Sequence, residues 1–114
     1  LPTLYNTTNV AASTTNYGVF TVVGGTVTFS LLVTIDPTAA AATVLGIAIG
    51  EGANSPPASN FANSVNAFGV GGEHVTGQSG GVSSDAANDR LLLNFTATDT
   101  ANRQWYITGQ YRII

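Results

Sequence analysis

His74 is the only histidine in the chain, so any imidazole-based acid–base or nucleophilic mechanism must run through it. It stands in Gly71-Gly72-Glu73-His74, with Ser79, Ser83, Ser84 and Asp85 a little further on, which are the ingredients of a Ser-His-Asp hydrolase. Gly77-Gln78-Ser79-Gly80-Gly81 has the bare G-x-S-x-G spacing, but no helix is expected after it to make the strand-to-helix nucleophile elbow, and closeness in sequence fixes no geometry. His74 therefore reads as an exposed loop histidine, and no catalytic residue is assigned. Asp85 and Asp89 offer hard oxygen ligands in one loop, as Ca²⁺ requires, but the alternating D-x-D-x-D spacing is missing. Asp and Asn in such a stretch are better explained as turn residues that bond nearby backbone N–H groups. Gly69-Val70-Gly71-Gly72 lacks the Lys-Ser/Thr that follows a phosphate-cradling loop. Asn6-Thr7-Thr8 and Asn94-Phe95-Thr96 match the glycosylation sequon, a short and frequent pattern. The expectation is a non-enzymatic protein with no cofactor and no metal.

What remains is the chemistry of contact. Trp105 and Tyr106 are consecutive, so in a strand they point to opposite faces, one into the core and one outward. Tyr106, Thr108, Gln110 and Arg112 make a polar row able to support a contact between chains. Leu32 and Leu92 interrupt rows that are otherwise polar. Leu32, Leu92, Tyr106 and Arg112 are thus the candidate oligomer interface. The loops around Gly50 to Asn60 and Gly69 to Asp85 are candidate receptor-facing surfaces, carrying Glu51, Asn54, Glu73, His74 and Gln78.

The composition sharpens the choice. The chain has 114 residues, enough for one domain and one core, and only 8% of them are charged, against roughly 25% in ordinary soluble domains. There are three arginines, no lysine and six carboxylates, for a net charge of −3. A nucleic-acid groove or a polybasic membrane contact needs clustered cations that this chain does not have. The absence of cysteine excludes disulfides, thiolate metal sites and a cysteine nucleophile. Mean hydropathy is +0.23, yet the longest uncharged apolar run, Ala39 to Gly50, is shorter than the ~18 residues of a membrane helix. Starting at Leu1 without a basic and apolar leader, the chain reads as a processed or excised piece of something longer. So few charges imply that much of the outer face is covered by other chains, and a homotrimer is expected.

These residues must be positioned by strands. From Thr26 to Asp36, Val27, Phe29, Leu31, Val33 and Ile35 alternate with mostly polar residues, which in an extended chain gathers the apolar groups on one face. Tyr17 to Val23 precedes it across Gly24-Gly25, a pair suited to a tight hairpin turn. Further strands are expected at Thr43 to Ile49, weakly at Ser64 to Val70 and Glu73 to Gln78, and clearly at Arg90 to Thr98 and Gln104 to Ile114. Gly50 to Pro57 and Gly80 to Asn88 read as loops. Residues 1–15 read as an extended N-terminal arm. About seven or eight short strands without helices predict an all-β domain over 1–114, a single antiparallel β-sandwich of jelly-roll type. Its core should include Phe29, Leu31, Val33, Leu93, Phe95, Trp105 and Ile107.

The order of several segments resembles small C-terminal β-domains of bacteriophage fibre and other virion structural proteins. The segments are Pro2-Thr3-Leu4, Asn9 to Ser13, Val22 to Ser30, Ile35 to Thr38, Leu45-Gly46-Ile47, Ser59-Asn60-Phe61, Ala86 to Arg90 and Tyr106 to Ile114. The resemblance implies a non-enzymatic tail-fibre, head-fibre or capsid-decoration module on the virion surface, capsid or tail. It would assemble with itself and other virion proteins, and possess outward loops for a host glycan or protein. A carbohydrate-binding or adhesin module of a bacterial surface protein is the alternative.

Overall fold

The computed structural model describes Leu1 to Ile114 in full and contains eight strands and no helix. They are β1 (Leu4–Thr8), β2 (Val10–Val23), β3 (Thr26–Pro37), β4 (Ala42–Ala48), β5 (Ala67–Gly72), β6 (Ser79–Asp85), β7 (Arg90–Thr96) and β8 (Arg103–Arg112). All pair antiparallel in one sheet of order β1-β4-β7-β6-β5-β8-β3-β2. The two ends of that order are consecutive in the chain and joined by Asn9 alone, so the sheet curls until β1 and β2 meet. The fold is a nearly closed barrel.

This corrects the expected two-sheet, jelly-roll-like sandwich. A sandwich needs a break in the ladder between its sheets, and here β6 to β5 and β5 to β8 are continuous pairings that carry the wall around. Glycine makes the curvature possible. Gly69, Gly71 and Gly80 lie on β5 and β6 and Gly109 on β8, at positions where a Cβ would run into a neighbouring strand or a core side chain.

Alternation along the strands fills the barrel. An eighteen-residue apolar cluster occupies the interior, with Val27, Val33, Ile35, Leu45, Ile47, Leu91, Leu93 and Ile107 without solvent contact. All seven residues expected in the core are buried. Phe95 and Trp105 meet at 4.2 Å between ring centroids, and Tyr111 packs edge-on to Phe61 at 5.7 Å while donating its hydroxyl to the Pro57 carbonyl at 2.6 Å. Burial pushes the Tyr111 phenol above its ordinary range.

The β2–β3 hairpin forms as expected, with Val23 opposite Thr26. Gly24 and Gly25 both have positive φ, 57° and 81°, the signature of a two-residue type I′ turn. Residues 1–15 are extended but paired rather than a free arm: Leu4 to Thr8 bond to β4, and Val10 to Thr15 to β3. Asn9, at φ 59°, reverses the chain between them, and its amide reaches the Ala39 carbonyl and Thr43 Oγ1, both at 2.8 Å. Side chains tie the seam, Ser13 to Asn6 at 2.5 Å and Thr15 to the Pro2 carbonyl at 3.0 Å. The segment Ser79 to Asp85, expected to be mostly loop, is strand β6, whereas Glu73 to Gln78 is a turn rather than a strand.

Candidate functional site

Four strands, β2, β3, β8 and β5, present an outer face whose register can be read row by row. Tyr17, Leu32, Tyr106 and Gly72 form one row, Val19, Ser30, Thr108 and Val70 the next, and Thr21, Thr28, Gln110 and Phe68 the third. No side chain in these rows is charged. Tyr106 is 59% exposed and Phe68 70%, large apolar area for an outer face. The row below, Val23, Thr26 and Arg112, carries the first charge.

At the upper end of this face lies a depression of about 440 Å³, lined by Leu32, Gly72, Glu73, His74, Gln78, Gln104 and Tyr106. The structure thus brings together five of the nine residues singled out from sequence: Leu32, Tyr106, Glu73, His74 and Gln78. The β5–β6 turn is held from within by Glu73, which is 2% exposed. Its carboxylate accepts from Thr76 N–H at 2.8 Å, Thr76 Oγ1 at 2.7 Å and Gln78 Nε2 at 3.4 Å, while its own N–H donates to the Gln78 carbonyl at 2.9 Å. Burial pushes its pKa up, but the hydrogen bonds from Thr76 and Gln78 win and hold it down to about 2, from an ordinary 4.5. Glu73 is the carboxylate that shapes the depression's rim.

That geometry sets a pH dependence. A carboxyl whose folded pKa is depressed stabilises the fold fully above its unfolded value and loses that contribution as pH falls towards the folded one. The melting-temperature difference between wild type and Glu73→Gln is expected to be constant from pH 7 to about 5 and to shrink between about 4.5 and 2. Thermal melts at each pH check it, and a difference that grows on acidification overturns the assignment.

The remaining four residues lie elsewhere. Leu92 faces out from β7 between Gly46 and Ser83, across the barrel from Leu32. Arg112 sits at the end of β8 opposite Thr26. Glu51 accepts the Tyr5 hydroxyl at 2.8 Å, and this hydrogen bond, ahead of burial, raises the phenol's pKa. Arg90 stacks over the Tyr5 ring at 5.1 Å and pairs with Asp85 at 2.9 Å. Asn54 occupies a left-handed position at φ 61° in the exposed loop after β4.

No family model, curated protein or solved structure matches this chain. The site is therefore read from its own chemistry. Ser84 Oγ is buried, donating to the Asn63 carbonyl at 2.6 Å and accepting from Asn66 N–H at 3.1 Å, while Asp85 is committed to Asn88 and Arg90. Those bonds, with the ion pair to Arg90, depress the Asp85 pKa, the one to Asn88 first. Asp89 Oδ1 accepts the Phe61 N–H at 2.9 Å. These serine and aspartate groups serve turns, and no three His, Asp or Glu side chains group together.

Sequence reasoning missed the lower part of the face. Phe68 and Val70 fall in a glycine-rich stretch of weak strand character, and only the β5–β8 register shows that they continue the Tyr106 surface.

Proposed function

We propose that this chain is a non-enzymatic structural module of a bacteriophage virion, a fibre or decoration domain on the capsid or tail surface, that packs against copies of itself. One observation carries the self-association: the uncharged outer face from the Tyr17 row to the Phe68 row, with three aromatic rings and Val70 open to solvent. The virion setting rests on the resemblance of the ordered segments. Three copies about an axis would cover this face, leaving the loop of Glu51 and Asn54 free for other virion proteins or a host surface.

Leu32→Asp places an uncompensated carboxylate in the upper row of that face, between Tyr17 and Tyr106, where a desolvated contact tolerates charge poorly. Sedimentation at tens of micromolar should show the assembly's mass fall threefold in this variant and stay unchanged in Leu92→Asp, across the barrel. A wild type at single-copy mass overturns the reading.

The second reading, a carbohydrate-binding or adhesin module, is favoured by Tyr106 beside Gln78, Gln104 and His74 around the depression. An aromatic face with amides at its rim is the chemistry of sugar stacking. Tyr106→Ala that abolishes binding on a glycan array, with mass unchanged, would select it.

A further inference from the structure

The wall of the barrel has one open edge. β2 pairs with β3 only, and its first half is covered by the N-terminal segment, Ser13 bonding to Asn6 of β1 and Thr15 to the Pro2 carbonyl just before it. β1 is too short to go further, so Tyr17 to Val23 runs on beyond it with its far side unpaired. None of the eight backbone hydrogen bonds made outside the ladders involves these residues. The type I′ turn points the Val23 carbonyl at Thr26, and counting back by twos, Val22, Phe20 and Gly18 direct their N–H and C=O groups away from β3.

Natural proteins blunt such an edge with lysine, proline, a bulge or an inward charge. Tyr17 to Val23 has none of these. The two irregularities of β2, at Ala11 and Asn16, both lie before it, and the segment is Tyr-Gly-Val-Phe-Thr-Val-Val. Both of its faces are apolar and open: Tyr17 and Val19 on one, Phe20 and Val22 on the other, with Val23 77% exposed at the tip. The chemistry that fits is another extended, uncharged strand with apolar residues on both faces.

We propose that this edge pairs antiparallel with the same edge of a second copy of the chain, about a two-fold axis at Phe20. The occupant is a second copy for two reasons. The segment meets its own requirements: in that register Tyr17 faces Val23, Gly18 faces Val22, Val19 faces Thr21 and Phe20 faces Phe20, so each side chain stays on its own face of the joined sheet. The far side of β1 lies against the first half of β2, tied to it by the Ser13–Asn6 side-chain bond without a backbone ladder, so Tyr17 to Val23 is the stretch of edge that no neighbouring strand lies against. A ring of copies needs two different complementary edges, whereas a single edge pairs only with itself, giving a two-fold contact. Nothing in this contact depends on the virion reading; Tyr17 and Val19 also border the face that holds Leu32, but the contact is made by the backbone edge of β2 and is centred on Phe20, which lies on the other side of the sheet opposite Phe29.

The test uses charge at the axis. Phe20→Lys sets two ammonium groups directly opposite each other across the pair, and Phe20→Glu two carboxylates. Each variant alone should run at half the wild-type mass in sedimentation at tens of micromolar, with β-type circular dichroism retained, and a one-to-one mixture should return to the full mass. The factor of two distinguishes this contact from the threefold drop expected of Leu32→Asp. Should the variants fail to fold, amide exchange on the wild type decides: the N–H groups of Gly18, Phe20 and Val22 should be protected at high concentration and lose protection on dilution. A wild-type mass of an odd number of copies, an unchanged mass in both variants, or rapid exchange of those three amides at high concentration overturns the proposal.

Discussion

Trp105→Ala should lower the stability of the chain by about 3–5 kcal/mol, the range for truncating a buried large aromatic. The indole is 1% exposed and stacks on Phe95, which belongs to β7. β8 and β7 are separated along the wall by β5 and β6, so this contact crosses the interior rather than following a ladder. Removing the ring leaves a void that the wall cannot close easily, since β8 is hydrogen-bonded along both sides, to β3 and to β5. The expected loss is a large part of the roughly 5–15 kcal/mol that holds a domain of this size together. Urea titration should show the midpoint drop with the slope unchanged, and the melting temperature should fall by about 10–30 °C. A loss below about 1 kcal/mol would mean that the barrel relaxes around the cavity far better than its continuous ladder allows.

The contrast between what alternation specified and what it left open is clearest at β3. Val27, Phe29, Leu31, Val33 and Ile35 point inward as their spacing demands, and the register across Gly24-Gly25 follows from the turn. The same pattern fits one face of a sandwich and the inside of a barrel equally, because both bury alternate residues and leave the others out. What decides between them is where the sheet can curve, and that information sits in residues without side chains. Gly69, Gly71 and Gly80 weaken the strand signal of β5 and β6, so of the segments that close the barrel one reads only as a weak strand over Ser64 to Val70 and the other mostly as loop. β6 has only Val82 and Ser84 buried, and Ser84 is kept there by hydrogen bonds rather than by apolarity.

The candidate site divides in the same way. Leu32 was legible because it breaks a polar row and Tyr106 because it heads the polar row of the last strand, and they are direct neighbours across β3 and β8. Leu92 breaks a polar row too, but the fold carries it to the opposite wall, a placement that no local pattern encodes. The open edge of β2 left no local signal either. Tyr17 to Val23 alternates like the strand of any hairpin, and whether its far side finds a partner depends on the length of β1 and on a seam closed by Asn9.

Gly109→Ala is the change expected to damage the wall itself. Gly109 on β8 lies directly opposite Gly69 on β5. A Cβ on Gly109 would overlap the Phe68 carbonyl oxygen and come within 2.8 Å of the Gly69 Cα and 2.9 Å of Phe29 Cζ. One on Gly69 would overlap the Thr108 carbonyl oxygen and lie 2.9 Å from the Gly109 Cα. The main obstacles are backbone atoms, which cannot swing aside as the end of a long side chain does. Retreat is blocked as well, because β5 is held by β6 and β8 by β3. Overpacking a core commonly costs about 1–3 kcal/mol, and with backbone on the receiving side the loss here should be ~3 kcal/mol or more. Gly72→Ala is the control: it stands on β5, the strand paired with β8, and its added methyl would meet nothing within 4 Å. That substitution should shift stability by no more than about 0.5 kcal/mol, since it disturbs neither packing nor the ladder. If Gly109→Ala unfolds in urea at the same midpoint as Gly72→Ala, then β5 and β8 do not approach this closely, and the curvature that turns the eight strands into a barrel must arise elsewhere.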